Sequence, residues 1–356
     1  MTDISPAETT KKTIAAAVLH GREDVRIDQI PIVALKPGEV RVQIGAALTC
    51  GTDVKIFRRG YHARMLQPPI RFGHEFAGTI SEIGESVTPW KIGQKVVAAN
   101  SAPCGECYYC RRELPEICDD LEFLNGAYAE SLVIPARFVS RSLYELPAPL
   151  SFAEAALTEP LACVVHGMEA VPVAKGETVI VLGTGPIGLL FVRLCHLAGA
   201  NVIAAGRRPE RLNLALELGA NEVFDERETP SLIATLKART EAGRGADKVI
   251  EAVGTPESWQ TAIALGRKAA TISLFGGCPR DTTITLDTHR LHYDEMTLTG
   301  AFHHTPQTFR AALDLIRSDL VPARAFISET VPLSELPTVL AALAAGTSRA
   351  VKVAIE

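Results

Sequence analysis

The sequence predicts an α/β protein of two units, a β-rich barrel-like unit and a doubly wound parallel sheet. Three observations carry that reading. Residues 14–100 are short strand-like runs broken by Gly and Pro, a Gly-rich turn follows an apolar strand near residue 180, and from there apolar strands alternate with amphipathic helices. A chain of 356 residues has length for about two domains, each able to bury a core without covalent staples.

The elements follow in order. The start, MTDISPAETTKKT, is polar and lacks a signal-peptide core, so it reads as a short frayed tail. Residues 40–44 (VRVQI) and 76–80 (FAGTI) are strands ending at turn signals. Residues 101–120 are too dense in Cys and Pro for regular structure. Ser151, with Glu154 three residues on, is an N-cap that opens a helix through 155–157. Strands are expected at 178–182, 201–205, 223–224 and 248–253, with helices at 189–199, 209–218 and 230–239 between them. That alternation implies right-handed βαβ units and a parallel sheet. The last part holds a helix at 306–318 and a strand at 351–353.

Charge and cysteine usage exclude several functions. With 36 Lys+Arg against 41 Asp+Glu, the net charge is −5, and no basic block or stripe appears. Nucleic acid and an anionic membrane surface are therefore not expected partners. No apolar run approaches the ~20 residues of a membrane span. Four of the eight cysteines fall between Cys104 and Cys118. In a cytoplasmic protein, the expected location, such a cluster reads as a metal site rather than a disulfide framework.

Three constellations carry chemistry. Cys104, Cys107, Cys110 and Cys118 supply four thiolates for a closed tetrahedral zinc, with four buried thiols or an iron–sulfur cluster as alternatives. Gly183, Gly185 and Gly188, with Pro186 and Ile187 between them, form a GxGxxG turn between strand and helix. Such a turn lets a pyrophosphate approach the helix N-terminus. An NAD site usually carries an acid about 20 residues further on. Here Gly206, Arg207 and Arg208 stand in its place, with Arg211 beyond, a pattern that suits the 2′-phosphate of NADP unless the arginines are solvated loop residues. The third constellation is scattered: Cys50, His74, Glu75 and Glu159 can supply about three ligands and an open position to a catalytic zinc.

Read in order, Cys50-Gly51-Thr52-Asp53, Gly73-His74-Glu75-Phe76-Ala77-Gly78, the four-cysteine lobe, Glu159-Pro160-Leu161 and Gly183–Gly188 resemble the zinc-dependent medium-chain dehydrogenase/reductases. The resemblance runs from residue 14 to the C-terminus. Glu159-Pro160-Leu161, followed by His166, resembles the polyol (sorbitol dehydrogenase-like) branch, where ordinary alcohol dehydrogenases have a cysteine. This implies a GroES-like catalytic domain from 14–158 and 301–356, with a structural zinc lobe at 101–120 and a Rossmann domain at 159–300. It implies two zinc ions per chain and a homodimer or homotetramer. Cys50 and His74 would be zinc ligands, Glu75 a ligand or close neighbour, Glu159 a direct or water-bridged ligand, and Thr52 the proton relay. Phe275, Gly276 and Phe302 fall where the family lines the nicotinamide pocket, and Lys352 resembles a basic residue near the cofactor phosphates.

Two positions depart from the branch. Lys55 replaces a histidine that many relatives use to pass the proton outward, so Lys55 or water does this, and Gly206-Arg207-Arg208 replaces the usual Asp of NAD users. The implied reaction moves a hydride from a secondary hydroxyl of a polyol, cyclitol or sugar derivative to a nicotinamide cofactor, with NADP favoured over NAD. Residues 55–64 (KIFRRGYHAR) and His303-His304 suggest a multiply hydroxylated or anionic substrate, although Arg58, Arg59 and Arg64 would also suit a solvated loop or subunit contact. Two alternatives stand beside it. One is an NAD-dependent secondary-alcohol or L-threonine dehydrogenase, the other a zinc-stapled scaffold that only binds nucleotide. The intact Cys50, His74, Glu75 and Glu159 set argues against the scaffold.

Overall fold

The computed structural model describes residues 12–61 and 67–356. The polar start of the chain (1–11), His62 and Arg64 lie outside the described residues.

The first unit is built on a small sheet and a large one. Asp24–Pro31, Thr13–Gly21 and Ile70–Arg71 form the small sheet. The large sheet runs Leu143–Glu145, Lys95–Ala98, Glu75–Ile83, Val40–Leu48, Lys352–Ile355 and Ile327–Val331, with Ser131–Ile134 also paired to Val40–Leu48. Both predicted strands of this region are present and longer than the runs that signalled them. Val40–Leu48 pairs antiparallel with Glu75–Ile83, and two register shifts bend the pair. The chain's last strand returns to this sheet, setting Ala354 opposite Leu48.

In the second unit six parallel strands lie in the order Glu222–Asp225, Asn201–Gly206, Thr178–Leu182, Ala246–Glu251, Gly266–Leu274 and Thr297–Thr299. This is the doubly wound order whose reversal, between the first and fourth strands of the unit, opens a crevice at their carboxyl ends. Val179, Ile180 and Val181 are fully buried because helices cover both faces of the sheet. Gly266–Leu274, within the alternating region that ran to about residue 275, is a strand that was not singled out, and Thr297–Thr299 extends the sheet past that region.

The Gly-rich turn explains its own sequence. Gly183 has φ 95°, a left-handed conformation that suits glycine. A Cβ on Gly188 would stand 1.7 Å from the Gly183 carbonyl oxygen, so the helix packs on the turn only with glycine there. Pro186 occupies the first turn of the Pro186–Leu197 helix, which begins three residues earlier than its apolar periodicity implied. Ser151 caps the Phe152–Ala156 helix through the expected reciprocal bonds with Glu154. The Thr158–Ala170 helix follows it at once and carries Glu159.

One core joins the two units. Phe309, on the Pro306–Arg317 helix, is fully buried and stacks on Tyr144 of the first unit at 4.8 Å between ring centroids. The same helix packs against Thr158–Ala170. Phe309→Ala is expected to lower unfolding free energy by about 3–5 kcal/mol, as other buried aromatic truncations do. Denaturant unfolding of the purified variant checks this.

Candidate active site

Cys50 caps the helix Gly51–Arg59. Its sulfur accepts from Thr52 N–H at 3.4 Å, while the Cys50 N–H donates to Asp53 Oδ2 at 3.0 Å. This is a capping box with a thiol in the place of the usual hydroxyl. It sets the sulfur at a helix N-terminus.

Asp53 then organises the next ligand. Its carboxylate is fully buried, accepts the Tyr128 hydroxyl at 2.6 Å, and places Oδ1 3.3 Å from His74 Nδ1. With Nδ1 turned to a carboxylate, Nε2 is the nitrogen left for a metal. Burial disfavours a charged His74, but Asp53 and Cys50 outweigh it and raise the imidazole pKa well above its ordinary value. The surroundings are thus built to hold positive charge.

Glu75 opens its strand beside His74 and is also fully buried. Burial raises its carboxyl pKa, opposed by Lys352. Lys352 is buried too, donating to Glu75 Oε2 and, at 2.9 Å, to the Thr49 carbonyl. The expectation that Lys352 stands near cofactor phosphates is therefore corrected: its ammonium lies inside the protein, committed to Glu75. Glu75 Oε1 has no hydrogen-bond partner. Donor atoms of Cys50, His74 and Glu75 lie within 4.8 Å of one another, an S, N, O set that suits zinc.

Glu159, on the Thr158–Ala170 helix, lines a cavity of about 740 Å³ together with Cys50 and His74. Its carboxyl is pushed up to about 7 by burial, with His74 opposing and Glu75 adding to the shift. The cavity brings together Cys50, Thr52, Lys55, His74 and Glu159 with Ile187, Phe275 and Phe302 from the second unit's side. Arg59 lines it as well, whereas Arg58 does not. Gly276 sits behind the lining, where its carbonyl accepts Trp259 Nε1 at 2.9 Å. His166 stays outside the cavity, with Nδ1 3.5 Å from Glu169, in keeping with a packing role.

The arginines beyond the second parallel strand divide. Gly206 was expected to leave room for a phosphate. Instead Thr184 fills that space, since a Cβ on Gly206 would meet Thr184 Oγ1 at 2.0 Å. Arg207 is exposed and bonds Glu226 at 3.0 Å. Arg208 and Arg211 reach the carbonyls of Ser348 and Ala350 at 2.6 and 2.7 Å. Burial lowers Arg211 to about 10, and its Nε has no partner.

The four-cysteine lobe is compact. Cys104–Cys110, Cys107–Cys118 and Cys104–Cys118 sulfur separations are 4.0, 3.7 and 3.5 Å, against roughly 3.8 Å for thiolates about a tetrahedral zinc. The lobe contains more regular structure than expected, a Ser101–Ala102 strand and two single-turn helices.

Several groups at the site escaped the sequence reading. Asp53 was quoted in a motif but given no role, although its place three residues after a capping cysteine was a signal. Tyr128 carried no local signal, because only the folded sheet brings it to Asp53. His303 and His304 were expected in the pocket, but not their partners, Ser101 Oγ at 2.6 Å and Asn100 Oδ1 at 3.0 Å, which lie far away in sequence. Cys163, four residues after Glu159, faces the same cavity.

Comparison with known proteins agrees with this geometry. The family model for the alcohol dehydrogenase GroES-like domain matches residues 36–147, and that for zinc-binding dehydrogenases matches 186–318. Sorbitol dehydrogenase of Bombyx mori is 30% identical over 330 residues, 90% of this chain and 92% of that one. The chain belongs to the zinc-dependent medium-chain dehydrogenases. L-threonine 3-dehydrogenase of Bacillus subtilis (strain 168) is 32% identical over 318 residues, 87% of this chain and 89% of its own. Among solved structures, a putative zinc-binding dehydrogenase from Sinorhizobium meliloti 1021, bound to NADP, superposes with a TM-score of 0.88 at 28% identity, covering 96% of this chain and 99% of its own. Among the described residues, no helix of this dehydrogenase is long and apolar enough to cross a membrane.

Asp53 acts as a positioning residue in this dehydrogenase. Asp53→Asn is expected to weaken zinc retention by about 10–100-fold, as loss of an outer-shell carboxylate does elsewhere. Competition with a chelator measures it, and Tyr128→Phe should cost less.

Proposed function

We propose that this dehydrogenase oxidises a secondary hydroxyl of a polyol, cyclitol or sugar derivative with NADP⁺ as hydride acceptor. One observation carries the reading: a single cavity is lined both by Cys50 and His74, whose donor atoms cluster with that of Glu75, and by the Gly-rich turn's Ile187 with Phe275. A hydroxylated carbon held at the cluster would share that cavity with a nicotinamide held at Ile187 and Phe275. Cys50 and His74 would hold the catalytic zinc with Glu75, whose Oε1 is unpartnered, and Glu159, which lines the same cavity, would act as a direct or water-bridged ligand. When bound, zinc would supply Lewis-acid polarisation of the hydroxyl, and the nicotinamide would supply the hydride acceptor.

This chain's residues do the rest. The Thr52 hydroxyl, at the cavity wall, accepts the substrate proton as it gives up its own, and that proton leaves to solvent through water or through Lys55, exposed one turn further along the same helix face. Glu159 offers an oxygen to a second, vicinal hydroxyl. Phe275, held edge-on by Phe191 at 4.9 Å, gives the nicotinamide a fixed apolar wall.

Preference for NADP rests on Gly206, which offers no carboxylate to a ribose 2′-hydroxyl, and on Arg207. The Arg207–Glu226 pair is surface-exposed on the arginine side and worth at most about 1 kcal/mol, so a 2′-phosphate can displace it. The Sinorhizobium meliloti relative with NADP bound supports the same choice. The lobe cysteines would hold a second, structural zinc. Domain limits of 14–158 with 301–356, and 159–300, agree with the return of Lys352–Ile355 to the first unit's sheet. Eight free thiols suit the reducing cytoplasm. The edge strand Thr297–Thr299 is the natural seam of a homodimer or homotetramer.

Initial rates of nicotinamide reduction over a polyol and cyclitol panel, with NAD⁺ and NADP⁺ in parallel, test the function. Polyol turnover is expected, with kcat/KM roughly tenfold or more in favour of NADP⁺, and Arg207→Ala should erase most of that ratio. Equal or better rates with NAD⁺ would overturn the cofactor assignment. Activity confined to simple alcohols or threonine would overturn the substrate class.

Cys118→Ser tests the two-metal reading. Elemental analysis should find one zinc per chain instead of two, together with a lower Tm, since a structural zinc contributes directly to folding.

A further inference from the structure

The cavity contains a second set of metal donors that the dehydrogenase reaction does not use as a set. One oxygen of Glu159, the Cys163 sulfur and one nitrogen of His303 lie within 4.8 Å of one another. Glu159 and Cys163 stand four residues apart on the Thr158–Ala170 helix, so their side chains project from one face. His303 arrives from a distant loop with φ 64°, a left-handed backbone that non-glycine residues adopt only under strain. Ser101 Oγ bonds its ring at 2.6 Å, and His304 and Phe123 pack against it at 4.0 and 5.6 Å between centroids. The loop is thus held in a costly conformation with this imidazole in the cavity wall.

The carboxylate has no strong partner of its own. Among the described residues, Glu159 pairs with no Lys or Arg, and the imidazole 4.0 Å away, His304 Nε2, is held neutral by burial. Donors around a tetrahedral zinc stand roughly 3.3–3.8 Å apart, so side-chain adjustments of about 1 Å would close this triad on an ion. The triad mixes thiol, imidazole and carboxylate, a set that favours a thiophilic divalent ion over magnesium or calcium.

We propose that Glu159, Cys163 and His303 form a second divalent-metal site for Zn²⁺ or Cd²⁺, and that an ion there occludes the substrate cavity. Binding forms a sulfur–metal bond and releases the Cys163 thiol proton to solvent, with no change of oxidation state. The occupied site shares the cavity with Cys50 and His74, so the ion competes with substrate. Excess thiophilic metal is therefore a competitive inhibitor of an enzyme that needs one such ion for activity.

The test titrates Cd²⁺ into the zinc-loaded enzyme and follows thiolate-to-cadmium charge-transfer absorption and the apparent KM for substrate. Wild type should show a saturable absorption step and a matching rise in KM with kcat unchanged. Cys163→Ala should lose that step and weaken inhibition roughly 100-fold or more, beyond the ~10–100-fold that loss of an outer-shell partner costs. Cys163→Ser, closer in volume, repeats the measurement if the alanine variant is unstable. Exchange at the Cys104–Cys118 lobe is common to all three proteins and cancels in the comparison. An absorption step of equal size in wild type and both variants overturns the site, as does no step in wild type. The absorption readout needs no substrate, so it separates failure of this site from failure of the proposed reaction.

Discussion

Glu75 and Lys352 stand 277 residues apart in sequence and against each other in the interior of the first unit. Each is fully buried, and neither charge could remain there alone, because an isolated buried ion is costly to desolvate. Lys352 begins the last strand, which inserts beside Val40–Leu48, the strand that leads directly into Thr49 and Cys50. The same ammonium bonds the Thr49 carbonyl. One buried cation thus fixes the carboxylate of the metal cluster and the backbone that delivers its thiol. The catalytic unit is complete only when the end of the chain returns to its beginning, and the dinucleotide unit lies between those two passages.

A second buried carboxylate extends this framework. Asp53 holds the Cys50 N–H, the Tyr128 hydroxyl and the His74 imidazole. Local and distant partners meet on a single side chain: Cys50 belongs to its own helix cap, whereas Tyr128 comes from 75 residues away. The result is a histidine whose Nδ1 faces a buried carboxylate and a cysteine at a helix N-terminus. Both are arranged by groups that touch no substrate. Preorganisation of this kind keeps a metal's open position directed at the cavity and not at the protein.

The dinucleotide side rests on backbone geometry rather than charge. Gly183 and Gly188 let the Pro186–Leu197 helix approach the turn closely, at the point where the strand order of the parallel sheet reverses. Thr184 covers Gly206, so no side chain at that position can project toward a ribose without displacing it. Cofactor choice is therefore left to the surface arginines, of which only Arg207 is not bound to the C-terminal segment.

Local signals in the sequence determined much of this protein. Alternating apolar strands and amphipathic helices prescribed the parallel sheet, Gly183-x-Gly185-x-x-Gly188 its crevice, and cysteines three, three and eight residues apart the compact four-thiol lobe, because each depends on neighbours close along the chain. The motifs also named Cys50, His74, Glu75 and Glu159. Tertiary structure decided what those residues touch. It placed Lys352 on Glu75 rather than at the surface, gave Asp53 its three partners, set Thr184 over Gly206, and gathered Glu159, Cys163 and His303 on one wall. A buried charge's partner is chosen by desolvation and by which strands become neighbours, and neither is encoded near that charge in the chain.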